Sequence, residues 1–86
     1  MMNFENDDIF IGYAKSCPIQ VVIADCEILD LIAWCQNNVG KQTYAKYYFG
    51  RLVFHAGKWA QIWADGKAVF MFKDAAKAVE FKLRFG

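Results

Sequence analysis

A β-hairpin that runs directly into an amphipathic helix is predicted by residues 58–86, which read KWAQIWADGKAVFMFKDAAKAVEFKLRFG. Residues 59–63 and 67–72 form its strands, and Gly66 in the connecting Ala-Asp-Gly supplies the positive φ that tight turns require. Asp74 is the expected N-cap, because its carboxylate can accept hydrogen bonds from unpaired N–H groups of the first helical turn. The helix is predicted over residues 75–85, with Glu80 and Arg84 spaced for an ion pair. The rest of the chain must pack against this unit.

The sequence before this unit predicts two strands, a helix and a further strand. Residues 9–14 show an alternating pattern, and residues 19–23, IQVVI, are rich in β-branched side chains. Asp25 is the expected N-cap of the first helix and Gly40 its terminating residue, since apolar residues recur between them at helical spacing. Residues 51–55 are strand-like, residues 44–49 fit either half of a strand or a loop over the first helix, and residues 1–7 are expected to fray.

The predicted order of elements, (ββ)αβββα, indicates an α+β fold in a single domain spanning residues 1–86. The simplest arrangement that buries the apolar stripes of both helices is an antiparallel sheet with the two helices packed on one face. The sequence therefore predicts a two-layer sandwich.

The composition is rich in apolar and aromatic residues and its charge is segregated. Apolar residues make up 57% of the chain, including eight Phe, four Tyr and three Trp. A small domain has little interior, so part of this surface is expected to face a partner or a second copy, unless the rings form a dense core. Residues 1–40 carry six carboxylates and one lysine, whereas residues 41–86 carry nine Lys and Arg and three carboxylates. Such a molecule can steer toward a charged partner, pair head-to-tail with itself, or neutralise itself within the fold.

The sequence indicates no catalytic, cofactor or metal site. Its three cysteines fit neither a disulfide framework nor metal-ligand spacing, and free thiols in a reducing cytoplasm are expected. The single histidine, His55, lacks a recognisable nucleophile and orienting acid, so a structural role on its strand is expected. The acidic start lacks the basic region of a signal peptide, and no apolar run reaches the length of a membrane span. We therefore expect a cytoplasmic protein that is not an enzyme.

Two blocks of residues carry a resemblance to a known group of proteins. Trp34-Cys35 lies near the end of the first helix ahead of a hairpin, and Asp74-Ala75 is followed by the ending Phe-Lys-Leu-Arg-Phe-Gly of residues 81–86. These features resemble small accessory proteins of tailed bacteriophages. The resemblance implies a protein made during infection that acts by occluding a host macromolecule, and it carries over no catalytic residue.

The leading interpretation is a non-enzymatic protein that inhibits or redirects a bacterial host protein, as an anti-defence or host-takeover factor, with a homodimer as one possible form. Large rings and arginine dominate the energetics of protein interfaces. The expected partner-binding residues are therefore Tyr44, Tyr47, Tyr48, Trp59, Trp63 and Arg84.

A nucleic-acid-binding module is the alternative. Helix, three strands, helix is the element order of the double-stranded-RNA-binding domain, which places lysines at the start of its last helix against phosphates. Lys73 and Lys77 hold a similar position, with Lys67 nearby in sequence, although Asp74 adds a negative charge between them. An aromatic platform could instead stack on single-stranded bases, formed by Tyr44, Tyr47, Tyr48, Trp59 or Trp63. A structural role in the phage particle is a third hypothesis.

Overall fold

A computed structural model describes residues 4–86 of the chain. Its elements in chain order are α1 (Phe4–Ser16), β1 (Ile19–Ile23), α2 (Ile28–Asn38), β2 (Tyr44–Tyr48), β3 (Arg51–His55), β4 (Trp59–Ala64), β5 (Lys67–Phe72) and α3 (Ala75–Phe85). None of these helices is long and apolar enough to cross a bilayer.

Strand β5 is the centre of a three-stranded antiparallel sheet in the order β1-β5-β4. Its residues 68–72, AVFMF, are all buried, because an uninterrupted apolar run can be covered on both faces. β1 pairs Ile19 with Phe72, and β4 pairs Trp59 with the same residue. Strands β2 and β3 form a separate antiparallel hairpin.

Helices α2 and α3 cover one face of the three-stranded sheet. Phe70, Phe72 and Phe81 are fully buried there, and the ring of Phe81 lies 4.8 Å from that of Phe70 and 5.1 Å from that of Phe72, measured between centroids. Leu31 and Cys35 of α2 complete this core. The α+β class, the antiparallel pairing and the placement of both predicted helices on one face are confirmed.

The prediction of a strand at residues 9–14 is wrong, since this segment belongs to α1. Phe10, Tyr13 and Ala14 pack with buried Cys17 against Val69 and Met71, on the sheet face opposite to α2 and α3. The spacing of residues 10, 13, 14 and 17 is that of one helix face. The alternation of the apolar residues at 9, 11 and 13 is typical of a strand, and it led to the wrong prediction. Fraying was expected of residues 1–7, but the chain is helical from Phe4, and residues 1–3 lie outside the described part. The element order is therefore αβαββββα.

The predicted helix ends are correct for α3 and partly wrong for α2. Asp74 is the N-cap of α3, and its Oδ1 accepts a hydrogen bond of 2.8 Å from the backbone N–H of Ala76. Gly40 follows α2 at a φ of +128°, as expected of a terminating glycine. Asp25 does not cap α2: the N-cap is Glu27, whose side chain makes no capping bond. The predicted Glu80–Arg84 ion pair is also wrong, because Glu80 pairs with Lys77, at an N–O distance of 3.3 Å.

Candidate protein-binding hairpin

The β2–β3 hairpin is the most prominent candidate site, and buried Thr43 anchors its base. Thr43 is 1% exposed, and its Oγ1 accepts a 2.8 Å hydrogen bond from the backbone N–H of Gly57, just after β3. The Thr43 backbone N–H donates to the Trp59 carbonyl at 2.6 Å. One residue thus ties both legs of the hairpin to the edge strand β4.

Close backbone packing completes this anchor. A Cβ on Gly57 would lie 2.2 Å from the Lys41 carbonyl oxygen, so no larger residue fits there without displacing the backbone. The Trp59 indole N–H donates to the Gly40 carbonyl at 2.9 Å, and the Lys58 N–H donates to that of Lys41 at 2.7 Å. The hairpin therefore leaves the body of the protein in a fixed direction.

One face of the hairpin packs on α1. The ring of Phe54 meets that of Tyr13 edge-on at 6.0 Å and covers Gly12, where a Cβ would lie 2.1 Å from the Phe54 ring. Burial raises the pKa of the Tyr13 phenol, and a hydrogen bond from the Ala45 backbone opposes this shift. Gly12 is thus required for the close approach of the hairpin to the helix.

The other face carries a stacked pair of rings. Tyr44 and His55 are cross-strand partners, with ring centroids 4.5 Å apart and an interplanar angle of 10°. The Lys46 ammonium lies 5.6 Å from the centre of the Tyr44 ring. His55 Nε2 is buried and has no hydrogen-bond partner among the described residues, while its ring packs on Tyr44. The structural role expected of His55 stays a prediction.

Three consecutive aromatic residues at the tip of the hairpin remain exposed. Tyr47 is 55% exposed, Tyr48 45% and Phe49 108%, so Phe49 has no contact that shields it. Phe49 occupies the first central position of the turn at a φ of +52°, followed by Gly50 at +76°. Bulky residues rarely adopt a positive φ, and the matching turn between β4 and β5 has Asp65 at the same φ, a residue type that tolerates it.

Cations lie along the hairpin that carries these rings. Lys46 and Arg51 lie on the hairpin strands, Lys41 and Lys58 lie near its base, and no carboxylate occurs between residues 41 and 64. Lys46 and Arg51 are exposed. The tip is therefore an apolar projection in a positive environment.

Of the residues predicted to bind a partner, the structure brings three together, namely Tyr44, Tyr47 and Tyr48. Trp59 is fully buried beneath α2 and α3, so its prediction as a contact residue is wrong and its role is in the core. Trp63 is 55% exposed but lies on β4, outside the hairpin. Arg84 is exposed on α3, with its guanidinium 5.7 Å from the centre of the Phe85 ring. Phe49, the most exposed ring, was not among the predicted residues.

The lysines predicted to bind nucleic acid are divided. Lys73 and Lys77 line a concavity at the start of α3 together with Lys58, but Asp74 lines it too, and Lys77 is paired with Glu80. Lys67 begins β5, at the end of the strand away from α3. Four strands in two sheets follow α2, so the expected element order of a double-stranded-RNA-binding domain is not present.

The other titratable groups considered are the potential metal ligands and the three thiols. Within the part of the chain that the structure describes, no three His, Cys, Asp or Glu side chains are grouped to hold a metal ion. Cys17, Cys26 and Cys35 are free thiols, and burial raises the pKa of Cys35 to about 12, which keeps this thiol neutral. The Cys17 Sγ lies 3.6 Å from the Thr43 Oγ1, which adds to the packing of the hairpin base.

Sequence reasoning missed the residues that position the hairpin and the one at its tip. Thr43 and Gly57 gave no signal, because their partners come from segments distant in sequence. Phe49-Gly50 could have been found, since an X-Gly pair between two strand-like segments is typical of a two-residue hairpin turn.

Comparison with protein-family models, curated proteins and solved structures found no significant match to this chain.

Proposed function

We propose that the chain is a non-enzymatic binding protein that inserts the tip of its β2–β3 hairpin into a concave surface of a bacterial protein. The observation that carries this proposal is Phe49, a fully exposed phenyl ring held at a φ of +52°. The partner's origin rests on the resemblance to phage accessory proteins described above. The consequence for the partner is occlusion of that surface, so the bacterial protein itself is inhibited or redirected.

The free protein gains nothing from Phe49 that would offset the cost of its conformation. A left-handed backbone costs an ordinary residue roughly 1–2 kcal/mol, and a ring that is 108% exposed buries no surface in return. An asparagine or aspartate would suit the turn better, as Asp65 does in the other hairpin. A residue that weakens its own fold without local compensation is typical of a functional position.

The neighbouring side chains suit a protein interface. Tyr47 pairs with Leu52 and Tyr48 with Arg51 across the two strands, so their rings flank Phe49 on opposite faces of the hairpin. Such a projection fits a pocket, and aromatic residues with arginine supply most of the binding energy at protein interfaces. The rigid anchor at Thr43 lowers the entropic cost of docking, because the hairpin is already ordered.

The same geometry is less suited to stacking on bases. The Tyr44 ring is already stacked on His55, and the tip rings do not share one face. A nucleic-acid function would instead rest on Lys58, Lys73 and Lys77, which line one concavity. That second candidate predicts binding that falls steeply with salt and is lost when Lys73 and Lys77 are replaced by alanine.

The test is affinity capture from bacterial lysate, followed by reconstitution of the captured protein with purified wild type. The variant is Phe49→Asn, and Asp65→Asn is the matched control, because it introduces the same residue at the same φ in the other hairpin turn. We expect one protein to be captured stoichiometrically by wild type and by the control, at low and high salt and after nuclease, and to be lost with Phe49→Asn.

Equal capture by Phe49→Asn and wild type would overturn the proposed role of the tip. Capture that disappears after nuclease treatment and in the Lys73→Ala/Lys77→Ala variant would replace the proposal with the nucleic-acid function. Circular dichroism of each variant shows whether the fold is retained.

A further inference from the structure

A second exposed aromatic residue lies in an acidic cleft on a different part of the molecule. Ala24, Asp25, Cys26 and Glu27, between β1 and α2, line an open depression of about 470 Å³ together with Trp63 of β4. Trp63 is 55% exposed. Both carboxylates of the cleft are exposed, so its rim is negative.

The cleft is continuous in sequence with further acidic and apolar surface. The first turn of α2 presents Leu29, which is 78% exposed, and Asp30, which is also exposed. No lysine or arginine lies between residues 16 and 40. This stretch of the chain therefore combines exposed apolar side chains with three carboxylates and contains no lysine or arginine.

The hairpin tip has the complementary properties. It presents the fully exposed ring of Phe49 on a hairpin whose strands carry the exposed cations Lys46 and Arg51, and residues 41–64 contain no carboxylate. The two surfaces do not meet within one chain, because no residue that lines the cleft belongs to the hairpin. Opposite charge and exposed apolar groups on both sides favour a contact between chains.

We infer that the hairpin tip of one copy docks into the acidic cleft of a second copy. Phe49 of one chain packs against Trp63 of the next, and the cations Arg51 and Lys46 face the carboxylates Asp25 and Glu27. The two partners use different surfaces, so the contact is heterologous: each chain keeps a free tip or a free cleft unless a ring closes. No bacterial partner is needed for this association, but it occupies the same tip and excludes the proposed partner.

Sedimentation velocity over a range of protein concentrations tests this inference, at low salt and again at about 0.5 M salt, where exposed charges are strongly screened. The variant Phe49→Asn removes the tip ring and leaves the cleft intact. Trp63→Thr removes the cleft ring, leaves the tip intact, and keeps a residue with high strand propensity on β4. Asp65→Asn is again the control, since it lies in the turn outside both surfaces.

We expect wild type and Asp65→Asn to gain mass with concentration at low salt and to lose most of that gain at high salt. Each of the other two variants should sediment as a monomer. An equimolar mixture of Phe49→Asn and Trp63→Thr should form a 1:1 dimer and nothing larger, because only one intact tip–cleft pair is available. Only a heterologous contact through these two surfaces gives this result.

Four results would overturn the inference. Wild type that stays monomeric at all concentrations would do so while leaving the tip available for a bacterial protein, so the two proposals fail separately. Self-association that persists in both single variants, or a mixture that forms no dimer, would exclude the tip–cleft contact. A gain in mass that nuclease abolishes would assign the association to bound nucleic acid.

Discussion

Replacement of Phe49 by asparagine is expected to stabilise the protein, although it removes a large apolar side chain. The ring is 108% exposed, so its loss uncovers no surface and breaks no shielding contact. The backbone, at a φ of +52°, remains as the main energetic difference. Asparagine tolerates this region, whereas the left-handed conformation costs other residues roughly 1–2 kcal/mol.

The expected gain in the free energy of unfolding is about 1 kcal/mol. It lies at the lower end of the range because asparagine also bears a small cost in the left-handed conformation. For a domain of 60–100 residues, 1 kcal/mol corresponds to a rise in Tm of about 4–8 °C. Urea denaturation followed by tryptophan fluorescence measures it directly. The midpoint should rise while the m-value stays the same, because the surface exposed on unfolding hardly changes.

The reciprocal variant, Asp65→Phe, provides the control. Asp65 is exposed and has the same φ of +52° in the β4–β5 turn, so a phenylalanine there should cost about as much as the asparagine gains at Phe49. A Phe49→Asn variant that is less stable than wild type would refute the reasoning, because it would mean that the ring contributes contacts that stabilise the free protein.

Three further predictions follow from the anchor, the helix contact and the buried thiol. Thr43→Val should cost about 1–3 kcal/mol by urea denaturation, because it leaves the partly buried Gly57 N–H without its acceptor, whereas Thr43→Ser keeps the hydroxyl and should cost less. Gly12→Ala should destabilise wild type, where its methyl group collides with the Phe54 ring, but should stabilise the Phe54→Ala background by up to about 1 kcal/mol through helix propensity; a double-mutant cycle in which the sign does not change would contradict the contact. The folded pKa of Cys35, about 12, lies above the ordinary thiol value, so stability should be unaffected below pH 9 and fall by up to about 4 kcal/mol between pH 9 and 12. Cys35→Ala should lose this thiol's part of the fall in pH-dependent unfolding measurements and keep only that of Tyr13, whose pKa burial also raises, whereas Cys26→Ala should keep both parts; an unchanged profile in Cys35→Ala would exclude the thiol as a source.

Local sequence patterns predicted the part of the fold that depends on local interactions. The β4–β5 hairpin, the capping of α3 by Asp74 and the end of α2 at Gly40 are all set by turn chemistry within a few residues. The α1 segment was misread, because its Ile9, Ile11 and Tyr13 imitate a strand. Its helical face becomes recognisable only when Val69 and Met71 are known to need a cover.

The candidate site was only partly predictable for a related reason. The sequence of residues 44–49 fits a strand or a loop equally well. Which of the two forms depends on Thr43, whose hydrogen-bond partners are Gly57 and Trp59. Aromatic composition selected the tyrosines that lie together on the hairpin but could not separate them from Trp59. That residue is buried because it is opposite Phe72 on the face covered by two helices.

The position of β5 between β1 and β4 also constrains how the chain folds. The β2–β3 and β4–β5 hairpins join neighbouring segments, and such hairpins close within about 1–10 μs. β1 must instead pair with β5 across the whole intervening chain, with Ile19 opposite Phe72 and Ile23 opposite Ala68. Closing so long a stretch of chain carries a larger entropic cost. We therefore expect β1 docking to be the slow step of folding. During synthesis, Val21 and Ile23 are made long before β5 and α3, which bury them. Until those elements are present, the two side chains are exposed and can contact other chains.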